Sequence, residues 1–234
     1  MGSKNKLKFI SFIIILIINY QFSNSQIYEV GGIIGGTNFI GDVGNTKFIN
    51  PNESGFGGII KWNRSPRHSY RFSYISTILT ANDLDSNDPR RNERGYNFSS
   101  NLVELSTGME FNFFDYNLHE YDVFFTPYLY SGIIYSKYEN LFFNGSNLQN
   151  SSEHEWSFGI PMVLGIKYRI LEKLILSFEI GARYTFSDKI DGSAPYNEDF
   201  NYNFGNKNNN DWYMFSGFNL TYTFGRQPCY CNIK

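Results

Sequence analysis

Cysteine is nearly absent from this chain. Two occur, Cys229 and Cys231, both within the last six of 234 residues. No disulfide framework can therefore hold the body of the fold. Histidine is scarce too: His68, His119 and His154 are far apart in sequence. No HExxH, GxSxG or phosphate-loop pattern occurs, so the usual signatures of metal hydrolysis, acyl transfer and nucleotide binding are missing. Charged residues make up only 18% and the net charge is −2, which lacks the basic field that nucleic-acid binding requires. Mean hydropathy is −0.36, which excludes a multi-span helical membrane protein.

One continuous apolar run exists, residues 9–18, broken only by Ser11. Lys4, Lys6 and Lys8 precede it, and Ser23-Asn24-Ser25 follows with small residues at the −3 and −1 positions of a cleavage site. The run is about half of the ~20 residues that a spanning helix needs. Residues 1–25 thus read as a secretory signal peptide, and no cysteine follows the run to make it a lipoprotein signal. Removing the segment takes the net charge from −2 to −5, because it holds three lysines and no acid. The cysteines would then meet an oxidising compartment.

Aromatics are abundant, with 23 Phe and 18 Tyr, and they alternate. Tyr70, Phe72, Tyr74 and Ile78 share one phase of a strand; Ser69, Arg71, Ser73 and Thr77 hold the other. The same period of two recurs near 103–113, 157–169, 174–186 and 212–224. Less regular strands are expected near 27–38, 55–63 and 123–137. The connections alternate in length, with long ones near 39–54, 79–100, 139–155 and 187–211 and shorter ones between. That layout predicts an all-β fold, an eight-stranded antiparallel transmembrane β-barrel of outer-membrane type. Eleven tilted residues at ~3.3 Å each rise roughly 25 Å, the height of the apolar band of such barrels. The divisions expected are a signal at 1–25, a barrel at 26–225 and a short periplasmic tail at 226–234.

A soluble eight-stranded ligand carrier has the same strand count, but its second phase meets water and should be dense in charge. Here that phase is mostly Ser, Gly and Thr, which suits a crowded lumen. Trp62, Trp156, Trp212, Tyr168 and Tyr222 near strand ends fit interfacial girdles. On this reading Lys61, Arg71, Glu104, Glu110, Lys167, Glu179 and Arg183 point inward. Seven charges of both signs should pair, giving a plugged lumen rather than an ion channel.

Catalysis has one weak candidate, His154, flanked by Glu153 and Glu155 near Ser151 and Ser152. Flanking residues on an extended chain point elsewhere, so a solvated loop is expected and no catalytic residue is assigned. Asp42, Asp83, Asp85, Asp88 and Asp191 lie in long loops without EF-hand spacing; solvated carboxylates are expected, with no metal and no cofactor. Cys229-Tyr230-Cys231 is too short a spacing for an unstrained bridge and too few ligands for a metal site. A partner contact, a strained redox bridge and two idle thiols stay open, with a partner contact favoured.

The chain resembles the PorG family, small outer-membrane barrels of the type IX secretion system of Bacteroidota, a system also used in gliding motility. The resemblance is carried by Tyr28-Glu29-Val30-Gly31, Ile40-Gly41-Asp42-Val43-Gly44, Asn50-Pro51-Asn52 and Lys61-Trp62-Asn63-Arg64-Ser65-Pro66-Arg67. Further stretches are Asp88-Pro89-Arg90-Arg91, Arg94-Gly95-Tyr96, Glu110-Phe111-Asn112-Phe113-Phe114-Asp115 and Thr126-Pro127-Tyr128-Leu129-Tyr130. Gly181-Ala182-Arg183-Tyr184-Thr185-Phe186, Asn209-Asn210-Asp211-Trp212-Tyr213 and Leu220-Thr221-Tyr222-Thr223-Phe224-Gly225-Arg226 before Pro228-Cys229-Tyr230-Cys231 complete it. The resemblance implies a non-enzymatic protein of the cell outer membrane that anchors or organises a periplasmic ring. Its partners would be a PorK-like ring lipoprotein, a PorN-like periplasmic protein and outer-membrane lipids, with no nucleic acid and no small-molecule substrate. The barrel would not itself be the conduit. The expected partner surface lies at the end bearing both termini: Arg64, Arg67, His68, Arg226, Cys229, Tyr230 and Cys231, with Arg169 and Lys173 nearby. The alternative is a surface adhesin or passive small barrel working through the long loops.

Overall fold

The computed structural model describes residues 27–118, 124–144, 147–193, 204–206 and 209–225. The signal segment, His119 and the tail with Arg226, Cys229, Tyr230 and Cys231 lie outside the described residues. Eight antiparallel strands follow in chain order and close on themselves. They are β1 (Ile27–Ile40), β2 (Glu53–Asn63), β3 (His68–Asn82), β4 (Asn97–Asn112), β5 (Phe125–Asn144), β6 (Asn147–Leu171), β7 (Leu174–Thr185) and β8 (Trp212–Gly225). The closing seam runs from Ile27↔Gly225 to Ile40↔Trp212, so the barrel has no free edge along it.

The strands obey the alternation read from the sequence. On β6, Phe158, Met162, Leu164 and Ile166 face outward, while Ser157, Val163 and Lys167 are buried. Leu164 keeps 58% of its surface open and Ile34 66%, whereas Lys61 and Glu110 are 0% exposed. Polar side chains inside and an apolar belt outside is the reverse of a water-soluble carrier. An apolar patch of that extent is solvated by hydrocarbon. The fold is therefore an outer-membrane-type β-barrel. Aromatics sit at both rims: Trp62 packs on Tyr70 at one, 5.3 Å between ring centroids, and Trp156 stacks on Tyr135 at the other, 4.6 Å apart.

At the short-turn end, Ser65 builds the β2–β3 turn by accepting from the amides of Arg67 and His68 at 3.3 and 3.0 Å. Glu172 and Lys173 join β6 to β7. At the other end, two of the expected long loops are more ordered than composition suggests. The stretch near 139–155 is mostly strand, because β5 and β6 continue as a paired hairpin above the barrel, with Leu141↔Asn150 in register. Its asparagines and serines read as loop, but backbone pairing carries the hairpin and Leu141, 1% exposed, packs into the apolar cluster with Phe98 and Ile190. The stretch near 79–100 holds the end of β3, a 3-10 turn (Asp83–Asp85), a short helix α1 (Pro89–Arg94) and the start of β4. Asp88 caps α1 by accepting from Arg90 N, Pro89 occupies its first turn, and Gly95 ends it in the left-handed region.

One interior glycine is dictated by packing. A Cβ on Gly165 would collide with the Tyr128 ring, so the Tyr128 side chain occupies that space.

Leu164 lies midway along the apolar belt. Leu164→Arg should cost about 2–4 kcal/mol of folding free energy in a bilayer. Denaturant titration in lipid vesicles checks this; a cost near zero would mean that water, not hydrocarbon, covers the outer face.

Candidate functional site

The lumen is the most heavily built part of the molecule. β2, β3, β4, β6 and β7 each direct a charge inward, and the structure places all seven of Lys61, Arg71, Glu104, Glu110, Lys167, Glu179 and Arg183 there, each 2% exposed or less. Glu110 is the hub of the lower layer. Its Oε1 accepts from Lys61 Nζ at 3.2 Å and pairs with Lys167 Nζ, while its Oε2 lies 2.9 Å from the Lys61 ammonium and 4.0 Å from Arg71. Arg71 then forks onto Glu179 at 2.7 and 3.0 Å, the bidentate geometry that suits a guanidinium. Tyr128 Oη and Asn219 Nδ2 each donate to Glu179 Oε2 at 2.9 Å. The guanidinium of Arg71 also lies 4.4 Å from the centre of the Tyr130 ring. Higher up, Arg183 Nε reaches Glu104 Oε2 at 3.3 Å, and Tyr213 Oη donates to the same oxygen at 2.5 Å.

Sequence reasoning missed one member. Glu29 is 0% exposed and accepts from Asn63 Nδ2 at 2.8 Å and Thr221 Oγ1 at 2.7 Å. It lies on the inward phase of β1, but the glycines of that strand weaken the alternation that would have exposed it. With Glu29 the lumen proper, among the described residues, holds four acids against Lys61, Arg71, Lys167 and Arg183, with Arg169 at its mouth. Balanced charge, apolar packing of Ile33, Ile59, Ile75 and Phe215, and buried tyrosines fill the barrel with side chains.

The short-turn end differs from expectation in one residue. Arg169 is not a surface group: it is 4% exposed, and its Nη2 donates to Asn117 O at 2.7 Å. The Tyr116 ring, 3% exposed, sits over the lumen mouth, 5.3 Å from the Arg169 guanidinium and 5.4 Å from Lys167 Nζ. Arg64, Arg67 and His68 do lie together on the exterior of this end. Arg67 Nε meets Asp115 Oδ1 at 2.5 Å, and His68 Nδ1 is 3.2 Å from Ser65 Oγ. Phe113, Phe114, Phe124, Phe125 and Leu171 are also exposed at this end.

At the long-loop end, several loop carboxylates are buried rather than solvated. Asp83 and Asp191 are 0% exposed, and Asp211, unremarked in the sequence, is 2%. Arg94 explains Asp83: Nε and Nη2 reach its two oxygens at 2.6 and 2.8 Å. Burial works against the Asp83 carboxylate, but Arg94 and the amides of Gly44 and Tyr96 outweigh it and hold its pKa below the ordinary value. Arg91 donates to Gly44 O and Gly41 O at 2.8 and 3.0 Å, so α1 clamps the β1–β2 connection. Asp85 and Asp88 remain exposed. His154 is exposed on β6, across from Glu139 in the projecting hairpin. No group of three or more His, Cys, Asp or Glu suited to hold a metal ion occurs among the described residues.

Residues 7–233 match the family model described as a domain of unknown function, DUF6089, and the chain belongs to that family. No functionally curated protein matches the sequence. Among solved structures the chain is similar to the N-terminal β-barrel domain of Pseudomonas aeruginosa OprF, at 12% identity and a TM-score of 0.45, covering 86% of this chain and 98% of that one. It is likewise similar to a major outer membrane protein of Thermus thermophilus, at 13% identity and a TM-score of 0.47, covering 86% and 100%. A third is the attachment invasion locus protein Ail of Yersinia pestis, at 10% identity and a TM-score of 0.48, covering 86% and 99%. The closed strand order of this chain, rather than these distant likenesses, defines its fold.

Glu110→Ala should destabilise the barrel by about 3–5 kcal/mol, because Lys61 and Lys167 are left facing each other without their counter-ion. Replacing the three together, Lys61→Met with Glu110→Leu and Lys167→Met, should cost less than Glu110→Ala alone. Unfolding titrations in detergent compare the two; equal losses would show that Glu110 is not the hub.

Proposed function

We propose that this member of the DUF6089 family is a non-enzymatic outer-membrane component of a type IX protein secretion machinery, anchoring or organising a periplasmic ring of a PorK-like lipoprotein and a PorN-like protein. The observation that carries the reading is the filled, charge-balanced lumen. An eight-stranded barrel has little interior space, and here side chains occupy it, so the protein acts through its ends rather than as a conduit. The resemblance to the PorG family supplies the identity of the machinery.

In this reading the short-turn end, where Ile27 and Gly225 pair, faces the periplasm. Arg64, Arg67 and His68 form its basic corner, exposed phenylalanines lie at the same end, and Arg226, Cys229, Tyr230 and Cys231 follow Gly225 in the sequence. Aromatic and arginine side chains are the groups enriched at protein interfaces. A second reading, a surface adhesin, draws on the β5–β6 hairpin, whose strands of 20 and 25 residues outreach all others.

Affinity purification of a tagged copy from mild-detergent membranes tests the assignment. The ring lipoprotein and its partner should co-purify, and truncation after Phe224 or Arg64→Glu with Arg67→Glu should leave the barrel folded but lower their yield. A band lost on reduction would add a cysteine contact. A barrel that purifies alone would overturn the reading, and loss of function on deleting residues 141–152 would favour the hairpin.

A further inference from the structure

Two buried acids at the long-loop end have no place in the reading above. Asp191 belongs to the β7–β8 connection, and Asp211 stands immediately before β8. Asp211 ties that connection to the strand: its Oδ2 accepts from Ile190 N at 2.9 Å, its amide donates to Ser187 O at 2.9 Å, and its carbonyl accepts from Thr185 Oγ1 at 2.8 Å. Asp191 Oδ1 accepts from Ser193 N at 2.8 Å, and the Ser193 hydroxyl and the Asp42 amide also favour its charged form, but its Oδ2 is buried without a well-formed hydrogen bond and burial outweighs these donors. A buried carboxylate oxygen without a donor is costly when ionised, and a proton removes most of that cost.

Among the described residues the surroundings supply acids rather than cations. Asp42, from the β1–β2 connection, faces both Asp191 and Asp211, and Asp188 faces Asp211. From the segment before β4, Tyr96 Oη donates to Asp191 O at 3.0 Å. The described basic groups of adjoining elements have other partners. Arg94 pairs with Asp83 at 2.6 Å, Arg91 holds the carbonyls of Gly41 and Gly44, and Lys189 reaches Glu155 of β6 at 3.3 Å. Directly beside these acids lies the apolar cluster of Phe39, Val43, Leu79, Phe98, Leu141 and Ile190 that closes the barrel mouth. Gly192 sits in the left-handed region, and a Cβ there would stand 2.7 Å from Tyr96 Oη, so the turn is fitted tightly under its neighbour.

We propose that Asp191 and Asp211 form a proton-operated latch: protonated, they keep residues 186–193 packed against the β1–β2 connection over the barrel mouth, and loss of the proton releases that segment. Burial, with the neighbouring acids adding to it, pushes Asp191 up to about 6 and Asp211 well above the ordinary aspartate value. A carboxyl whose pKa is raised on folding contributes stability that is complete below its unfolded value and is lost as pH rises through the folded one. The latch is therefore shut in mild acid and loosened from about pH 6 upward.

Hydrogen exchange of the full chain, folded in detergent and followed from pH 5 to 8 with intrinsic rates corrected, tests this. Protection of residues 186–193 should fall at least about tenfold on passing to the higher pH, while the strands stay unchanged. Asp191→Asn and Asp211→Asn, which are neutral at every pH, should keep the segment protected throughout. A flat wild-type profile overturns the latch, as does a transition that persists with the same midpoint in both variants. Should the variants fail the heat-shift gel test for a folded barrel, a carboxyl-carbon NMR titration of the wild type decides. Aspartates titrating at or above about 6 support the latch, and all of them at ordinary values overturn it.

Discussion

Glu110, with Lys61 and Lys167 on either side and Arg71 behind, shows the constraint on which the rest of this barrel depends. A sheet closed in hydrocarbon must turn its apolar phase outward, and whatever is polar then shares a narrow interior from which bulk water is excluded. Charges in such a space persist only when neutralised and hydrogen-bonded. Four acids and four bases meet that condition here through forks, shared oxygens and tyrosine hydroxyls. The glycine at 165 follows from the same crowding, since the Tyr128 ring that supports Glu179 and faces Lys61 and Lys167 fills the space of a side chain there.

Buried ion pairs are weak sources of net stability, because desolvation consumes most of the attraction. What these pairs supply is register. Arg71 on β3 and Glu179 on β7 come from opposite walls, and Lys61, Glu110 and Lys167 join three further strands. A slip of one residue on any of them would turn its charge to the lipid and bring an aromatic inside. Such a slip is penalised twice, so the network selects one closure among the many that alternating strands permit.

The fold was legible because the constraint is periodic. Phase alone assigned the seven lumen charges, and the strand centres near 68–78, 157–169 and 174–186 fall inside β3, β6 and β7. Legibility failed where periodicity stops carrying the physics. The arm of β5 and β6 above the barrel is held by backbone pairing and by Leu141 in the apolar cluster, while the asparagines and serines around it marked it as loop. Arg169 sits at a rim, where the sequence alone does not distinguish a solvated guanidinium from one folded under the Tyr116 ring. Asp191 and Asp211 are buried by tertiary packing of connections that lie far apart in the chain, and no local pattern announces such burial.

The two ends of the molecule consequently obey different rules. At the short-turn end, Tyr116 and Arg169 close the lumen from within, while Arg64, Arg67, paired with Asp115, and His68 stay on the outside. At the long-loop end, α1 spends its arginines on the backbone of the β1–β2 connection and on Asp83, so neither of them reaches Asp191 or Asp211. The first arrangement leaves basic and aromatic groups exposed, while the second concentrates acid over an apolar plug. A barrel whose interior is filled can respond to its surroundings only through such ends, and the charge distribution gives each end a different chemistry to respond to.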